Sequence, residues 1–389
     1  MALLWLQGFD QYGNYQTPTQ HSFTEMQDLV QVVDFDEING GGAYGDGYMG
    51  ITNSDARISG SSFYLNPQRT EVIIELGNER STYGLRKAFS PSGNKFVYGF
   101  GYKYEGTFDD PIPLCGMGVE TLGNYVEDLI VWVTTSGALH ICSGEGGQPE
   151  RNNGIENTRG NTTGGLLNFS EWNYIEIEYD ATGTDPIYSI YLNNVLALSV
   201  ENANFAGSPT DMVLYCPMSD VYGQVQSESF MRIDDIYVVD ASGSFCNDRL
   251  GPQRVAVYAV DGAGANADWT PSAGSNFQCV DDASHTPFAG DTDYVASSTS
   301  GDIDTYTLTD LGVDVNSING VQVTMLARTE SGSSSVDLKG VEGVNEVSVT
   351  HSIVSSTYRE FSTPMSAAPD GTQWNSAHFN ALQLEIELN

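Results

Sequence analysis

The sequence predicts an all-β protein built as two antiparallel β-sandwich domains, the second smaller than the first. Three observations carry that expectation. The chain is 389 residues long, more than one ordinary domain, with 40% hydrophobic residues to fill its cores. Its 42 glycines and 21 tyrosines suit a turn-rich protein with aromatic strands, and long helical periodicity is nearly absent. The third is the stretch Trp172–Val200, around which the rest is organised. Ile175, Ile177 and Tyr179 alternate there with Tyr174, Glu176 and Glu178, the period of a strand with one buried face. A Gly/Asp/Pro turn leads to a second alternating run that ends at Asn193-Asn194, where a third begins. Asparagine tolerates positive φ, so Asn193-Asn194 reads as a two-residue hairpin turn. It would set Leu192 opposite Val195, Tyr191 opposite Leu196 and Ile190 opposite Ala197, with both faces largely apolar as in a sheet inside a sandwich.

In chain order, Leu3, Trp5 and Gln7 alternate with Leu4, Leu6 and Gly8, a strand at the start of the chain. Gln20–Asp36 holds the best short helix, although Val30–Phe35 reads equally as a strand. Strands follow at Arg57–Leu65, Thr70–Leu76, Lys95–Lys103, Val126–Thr134, Ala138–Cys142, Asp211–Cys216 and Ser229–Val239. Gly144–Gly165 reads as an exposed polar loop. The first domain then spans 1–242, a Gly/Ser-dense linker 243–253, and the second domain 254–389. In the second, strands are expected at Arg254–Val260, Ser275–Val280, Asp302–Leu308, Gly320–Arg328, Ser334–Gly340, Glu346–His351, Tyr358–Phe361 and Leu382–Leu388. Gly262–Ser275, carrying Trp269, reads as a loop. We expect Leu3–Gln7 to pair with Met231–Val238 and close the first sandwich, since both lie at domain edges where an unpaired strand exposes its backbone.

The formal charge of −36 argues against nucleic acid and anionic membrane as partners, because phosphate binding needs clustered Lys and Arg. Both halves are acidic, and no run is long enough to span a bilayer. The first residues lack the basic start of a signal peptide. Cys115, Cys142, Cys216, Cys246 and Cys279 are odd in number and widely spaced, so they read as buried thiols in a reducing cytoplasm rather than as disulfides or a zinc site.

Chemistry-bearing patterns are sparse. Gly40–Gly50 lacks the G-K-[ST] ending of a phosphate loop and reads as a connection. Sandwich glucanases set carboxylates on one strand face as E-x-D-x-x-E. Glu176 and Glu178 share a face here, but position 181 is alanine, and a solvated strand face is the better reading. Arg232-Ile233-Asp234-Asp235 is the other near match. His21, His140, His285, His351 and His378 sit in unrelated contexts without a G-x-S-x-G, each reading as a surface or partly buried side chain rather than a base. Asp291-Thr292-Asp293 and Asp302-Ile303-Asp304 resemble fragments of calcium loops without completing one. Asp291 and Asp293 are therefore weak metal candidates, calcium is the one cofactor to consider, and turn-forming aspartate is the plainer reading. Tyr44, Tyr48, Tyr83 and Tyr125 are of a type that stacks on sugar rings but is also common on strands.

The run W-N-Y-I-E-I-E-Y-D…Y-S-I-Y-L-N-N-V-L-A-L with the late R-I-D-D-I-Y-V-V-D resembles concanavalin A-like (LamG-type) jelly rolls. That resemblance implies structural roles for Leu3, Trp5, Trp172, Ile175, Ile177, Ile190, Leu192, Asn193, Asn194, Ile233, Ile236 and Val238. Asn194 stands where such hairpins usually carry glycine. The ordered whole also resembles structural proteins of tailed bacteriophages. Its opening L-Q-G-F-D-Q-Y, the passage from I-D-D-I-Y-V-V-D-A-S-G to G-P-Q-R-V, and A-D-W-T-P, D-T-D-Y-V and Trp374-Asn375 in the second domain carry the likeness. The resemblance implies a non-enzymatic virion component, a tail fibre, tail-tip or head-decoration protein. It would be assembled in the host cytoplasm, homo-oligomeric and in contact with other virion proteins. A carbohydrate-binding module that reads host surface glycan is the alternative, and a glycosidase or depolymerase the third reading.

Overall fold

The computed structural model describes residues 3–7, 31–33, 48–52, 62–66, 83–106, 111–121, 124–143, 158–201, 209–216, 230–281, 290–311, 315 and 317–389. The architecture is all-β. Up to residue 240 the strands are β1 (Leu3–Gln7), β2 (Gln31–Val33), β3 (Tyr48–Thr52), β4 (Ser62–Asn66), β5 (Tyr83–Ala88), β6 (Lys95–Glu105), β7 (Ile112–Thr121), β8 (Asn124–Val133), β9 (Leu139–Ser143), β10 (Thr158–Asn161), β11 (Asn173–Asp180), β12 (Ile187–Leu192), β13 (Val195–Glu201), β14 (Asp211–Cys216) and β15 (Phe230–Asp240). One sheet of eight strands runs β13-β12-β11-β6-β15-β4-β3, with β1 also on β15. The facing sheet of seven runs β10-β9-β8-β7-β14-β5-β2. Between them lies one core, with Phe96, Tyr98, Phe100, Ile175, Ile177, Ile190, Ile233, Ile236 and Val238 from the first sheet and Met117, Val131, Ile141, Met212 and Leu214 from the second. Leu192 is buried there too, while Trp172 is half-buried just before β11.

The expected pairing of the first strand is present. β1 lies antiparallel on β15, with Trp5 opposite Val238, Leu6 opposite Tyr237 and Gln7 opposite Ile236. The earlier part of β15, Met231–Ile233, pairs instead with β4. A bulge between Leu3 and Trp5 breaks the expected alternation. Trp5 enters the sandwich core, whereas Leu3 packs with Val97, Tyr174, Tyr237 and Val239 on the outer side of the eight-stranded sheet. The hairpin turn also forms, with Asn193 and Asn194 at φ 50° and 70°. Leu192 faces Val195 and Tyr191 faces Leu196, but a bulge leaves Ala197 extra and sets Ile190 opposite Leu198.

Several expectations shift. The polar stretch before residue 165 contains β10, so its end is a strand rather than loop. Val30–Phe35 contains β2, and the end of the Gly-rich segment is β3. Thr70–Leu76 and Gln20–Val30 lie outside the described residues. β5 and β7 had no counterpart among the expected strands.

The second half holds β16 (Val260–Ala267), β17 (Thr270–Pro271), β18 (Val295–Ala296), β19 (Ile303–Leu308), β20 (Val321–Ala327), β21 (Ser334–Glu342), β22 (Asn345–Ile353), β23 (Arg359–Met365), helix α1 (Ser376–Ala381) and β24 (Gln383–Leu388). A five-stranded sheet β16-β19-β24-β21-β22 packs on the ribbon β20-β23 around Val323, Leu338, Met365, Trp374 and Leu382. The strand expected at Arg254–Val260 lies one segment later, in the Gly/Ala run read as loop. Small residues are needed there, because a Cβ on Gly264 would stand 2.3 Å from the Thr305 hydroxyl oxygen. Ser275–Val280 is not a strand but holds a 3-10 turn over Asn276–Cys279. Among the described residues no helix is long and apolar enough to cross a membrane.

The C-terminal end of the linker is tied to both sandwiches. Asn319 donates from its amide to Gln253 Oε1 at 2.7 Å, and Val255 N donates to Asp235 Oδ1 at 2.7 Å. The free edge of β1 is met by one side chain of the second sandwich. Leu6 N donates to Gln322 Oε1 at 3.0 Å, and Gln322 Nε2 donates back to Leu6 O at 3.2 Å, so an amide side chain takes the place of a neighbouring strand.

Candidate functional site

The seven-stranded sheet has a second face, and the alternation of β8 and β9 decides what it carries. Leu129, Val131, Val133, Leu139 and Ile141 point into the core. Ile130, Trp132, His140 and Cys142 therefore stand on the opposite face. Cross-strand register aligns Pro113 of β7 with Trp132, Trp132 with His140, and His140 with Asn161 of β10. The β8–β9 turn fixes that register, with Gly137 at φ 74° and Thr134 N bonded to Ala138 O at 2.9 Å. On the far side Thr162 N bonds to Leu139 O at 2.9 Å, and Leu139 N bonds to the Thr162 hydroxyl at 2.9 Å. Gly160 turns inward between Asn161 and Thr158, where a Cβ would come within 2.9 Å of Val200.

Trp132 is 6% exposed, and the buried Nδ1 of His140 has no hydrogen-bond partner among the described residues. Burial holds this imidazole below the ordinary histidine value, so its neutral form is favoured. Cys142 is the wrong group for a nucleophile, since burial raises its thiol and Thr158 opposes that only in part. The row thus presents a neutral imidazole between an indole and a primary amide. Such a set can accept a proton and polarise a carboxylate or carbonyl, and a pair of carboxylates is not part of it. In the sequence His140 is one of five histidines in unrelated contexts, and the strand alternation it shares with Trp132 is the signal that sets it apart.

The carboxylates singled out from the sequence serve other purposes. Glu176 is not on a solvated face but fully buried beneath the linker, where it accepts from the Tyr237 hydroxyl at 2.6 Å, Gly251 N at 2.7 Å and Arg249 Nη1 at 2.6 Å. Glu178 lies 3.4 Å from Lys95, and burial pushes its carboxyl up against that attraction. Asp234 and Asp235 are buried at a bulge in β15, with Asp235 at φ 52°. Asp291 Oδ1 accepts from Arg328 Nε at 3.1 Å and Nη2 at 2.8 Å, so a guanidinium stands where a cation was considered. Asp293 is half-buried and Asp302 accepts from the Ser297 hydroxyl at 2.6 Å. Asp304 is buried, accepting from Trp269 N, the Asn276 amide and the Tyr306 hydroxyl. Tyr44 lies outside the described residues, and Tyr48, Tyr83 and Tyr125 fall within β3, β5 and β8. Cys115, Cys142, Cys246 and Cys279 are free and buried. A cleft of about 1690 Å³ is lined by both halves, with Leu3 and Tyr237 of the first and Leu308, Val323, Met325 and Ile386 of the second in its walls.

No family model matches the chain, and no curated protein matches its sequence. Solved structures do align with it. An endo-β-1,4-glucuronan lyase from the fungus Trichoderma reesei is 13% identical, with a TM-score of 0.35 over 52% of this chain and 92% of that one. An endo-1,3-β-glucanase from Streptomyces sioyaensis is 12% identical, with a TM-score of 0.40 over 61% and 95%. An alginate lyase of polysaccharide lyase family 7 is 12% identical, with a TM-score of 0.33 over 49% and 81%. These neighbours are carbohydrate-active enzymes, where a non-enzymatic structural protein was expected. The β-sandwich rests on the strands and sheets of this chain itself, and the activities and substrates of these enzymes remain theirs.

Proposed function

We propose that the first sandwich is a polysaccharide depolymerase module acting at the Trp132–His140–Asn161 row. The observation that carries this reading is the half-buried imidazole of His140, favoured in its neutral form and set in register between an indole and an amide. A neutral imidazole is the group for removing a proton beside a uronate carboxylate, and an amide can hold that carboxylate as charge builds on it. Hydrolysis by two carboxylates roughly 5–9 Å apart would need acids that are not among the described residues of the row. Elimination from an acidic polysaccharide is therefore the reaction class this chemistry favours. The resemblance to tailed-bacteriophage proteins supplies a setting for it. In that setting the module is carried on a virion in a homo-oligomer, its substrate is a host surface polysaccharide, and its neighbours are other virion proteins.

The test is to incubate the full chain with glucuronan, alginate and a neutral β-glucan, following the ultraviolet absorbance of unsaturated ends beside the release of reducing ends. Unsaturated product from an acidic polymer, lost in His140→Ala with the circular dichroism spectrum intact, is the expected result. Reducing ends without unsaturation would replace elimination by hydrolysis. No release from any polymer, by wild type at high protein concentration, would remove the enzymatic reading.

A further inference from the structure

Glu342 ends β21, Asp370 lies in the turn after β23, and His378 sits on α1, held there by Asn375, whose side chain caps the helix. One carboxylate oxygen from each acid and a ring nitrogen of the histidine lie within 4.8 Å of one another. We propose that these three side chains bind a single divalent transition-metal ion of the zinc type.

The hydrogen positions favour a cation at this point. The Thr372 hydroxyl donates to Asp370 Oδ1 at 2.7 Å. Its one proton is then committed, so at 3.1 Å the Thr372 oxygen accepts from His378 Nε2–H. A neutral imidazole has only one N–H, which leaves Nδ1 as a bare lone pair. That lone pair faces both oxygens of Glu342, each at 3.0 Å. Three acceptors converging on one point repel unless positive charge lies between them, supplied by a second ring proton or by a metal. Among the described residues no Lys or Arg pairs with Glu342 or Asp370 to supply it from the side.

The donor set selects the ion. One imidazole nitrogen and two carboxylates suit zinc and its neighbours, whereas calcium and magnesium call for oxygen alone. Donors about 2.0–2.2 Å from one ion stand roughly 3–4 Å apart, so Asp370, whose carboxylate lies within 4.8 Å of the other two donors, has little distance to close. The Nε2–Thr372 bond is the outer contact that fixes the ring of a ligating histidine. On binding, the ion replaces any proton on Nδ1, which is released to water, and it joins β21, the turn and α1 into one clamp.

The experiment uses the full chain, stripped with chelator and titrated with zinc by calorimetry, beside Asp370→Asn and His378→Gln. The expected result is one zinc per chain, with affinity falling at least about tenfold in each variant, and a zinc-dependent rise in the melting temperature of the wild type alone. Asp370 is exposed, so D370N keeps the fold and gives a clean reading even if His378→Gln does not. Absence of zinc binding by the wild type overturns the site, as does undiminished binding by D370N. Calcium binding in place of zinc would overturn the donor assignment.

Discussion

Arg249 Nη1 lies 2.6 Å from Glu176 Oε2, across the join between strand β11 of the first sandwich and the linker that leaves it. The guanidinium also stacks 4.0 Å from the Tyr191 ring centroid and donates to Asn194 Oδ1 at 2.7 Å. Strand, hairpin turn and linker therefore meet at one charge. The carboxylate holds Tyr237 as a protonated donor, since burial first and then the negative charge of Glu176 push its hydroxyl well above the ordinary tyrosine value.

Removing that charge should loosen the join. Glu176→Ala leaves the Tyr237 hydroxyl and Gly251 N without their acceptor, and we expect a loss of about 3–5 kcal/mol in urea unfolding. Glu176→Gln keeps an acceptor but not the ion pair and should lose less. Equal losses in the two variants would mean that shape, not charge, holds the linker.

The amide of Gln322 caps the free edge of β1, so the two halves share a boundary that the linker does not account for. Gln322→Leu should cost about 1–2 kcal/mol, from two hydrogen bonds at roughly 0.5–1.5 kcal/mol each. It should also speed hydrogen exchange at Leu6 while leaving Ile175 and Ile177 protected. Unchanged exchange at Leu6 would show that another group covers the edge in solution. Leu3 also touches the second half, where a Cβ on Gly320 would stand 2.6 Å from its Cδ2. Deleting residues 1–8 should therefore lower both unfolding transitions rather than the first alone.

Much of this fold is legible in the sequence because strand alternation is written in side chains. The β11–β12–β13 hairpins, the first strand and the pairing of their ends follow from apolar residues at period two. What escapes has a common cause. β16 is rich in glycine and alanine because Thr305 and Thr307 stand close across the ladder, and small residues carry no strand signal. Glu176 reads as solvated on its own strand, since what buries it is a linker some seventy residues away. His140 and Trp132 are eight positions apart in sequence, and only the β8–β9 register makes them neighbours.

The imidazoles should report burial through pH. His140 is held low by burial, and His351 likewise, against the pull of Asp337. For such a group the unfolded chain binds more protons, so its contribution is complete above the unfolded value near about 6.5 and is lost as pH falls through the folded one. NMR titration should place both midpoints below the ordinary value, and depolymerisation should rise with pH through the His140 midpoint. A His140 midpoint above the ordinary value would contradict the neutral base.

Lys339 is buried among carboxylates on β24, 2.9 Å from Glu385 and 2.6 Å from Glu387, with Glu346 at 3.8 Å. Burial works against its charge, but the glutamates outweigh it and raise the ammonium above the ordinary lysine value. Its stabilisation is then present below the unfolded value near about 10.4 and lost only as pH rises through the folded one. Lys339→Met should cost about 1.5–3 kcal/mol at neutral pH by removing charge-assisted bonds. The loss should shrink in acid, where protonated glutamates no longer repel. A cost independent of pH would point to packing.

The last prediction concerns the Asn193-Asn194 turn. Both residues hold φ in the left-handed region, at 50° and 70°, the conformation that joins strands with the right twist. Their side chains are not equivalent. Asn193 Oδ1 accepts from Tyr174 N at 2.8 Å, tying the turn to β11, whereas Asn194 Oδ1 accepts from Arg249 and ties it to the linker. Asn193→Ala loses a hydrogen bond of about 0.5–1.5 kcal/mol and adds the cost of left-handed backbone, roughly 1–2 kcal/mol for an ordinary residue. We expect about 2 kcal/mol in total. Asn194→Gly relieves backbone strain while releasing one contact of Arg249, so it should change stability by less than about 1 kcal/mol. Urea unfolding of the pair decides the matter. If N194G is the more damaging of the two, the arginine contact outweighs the turn geometry, and the hairpin is held chiefly by the linker.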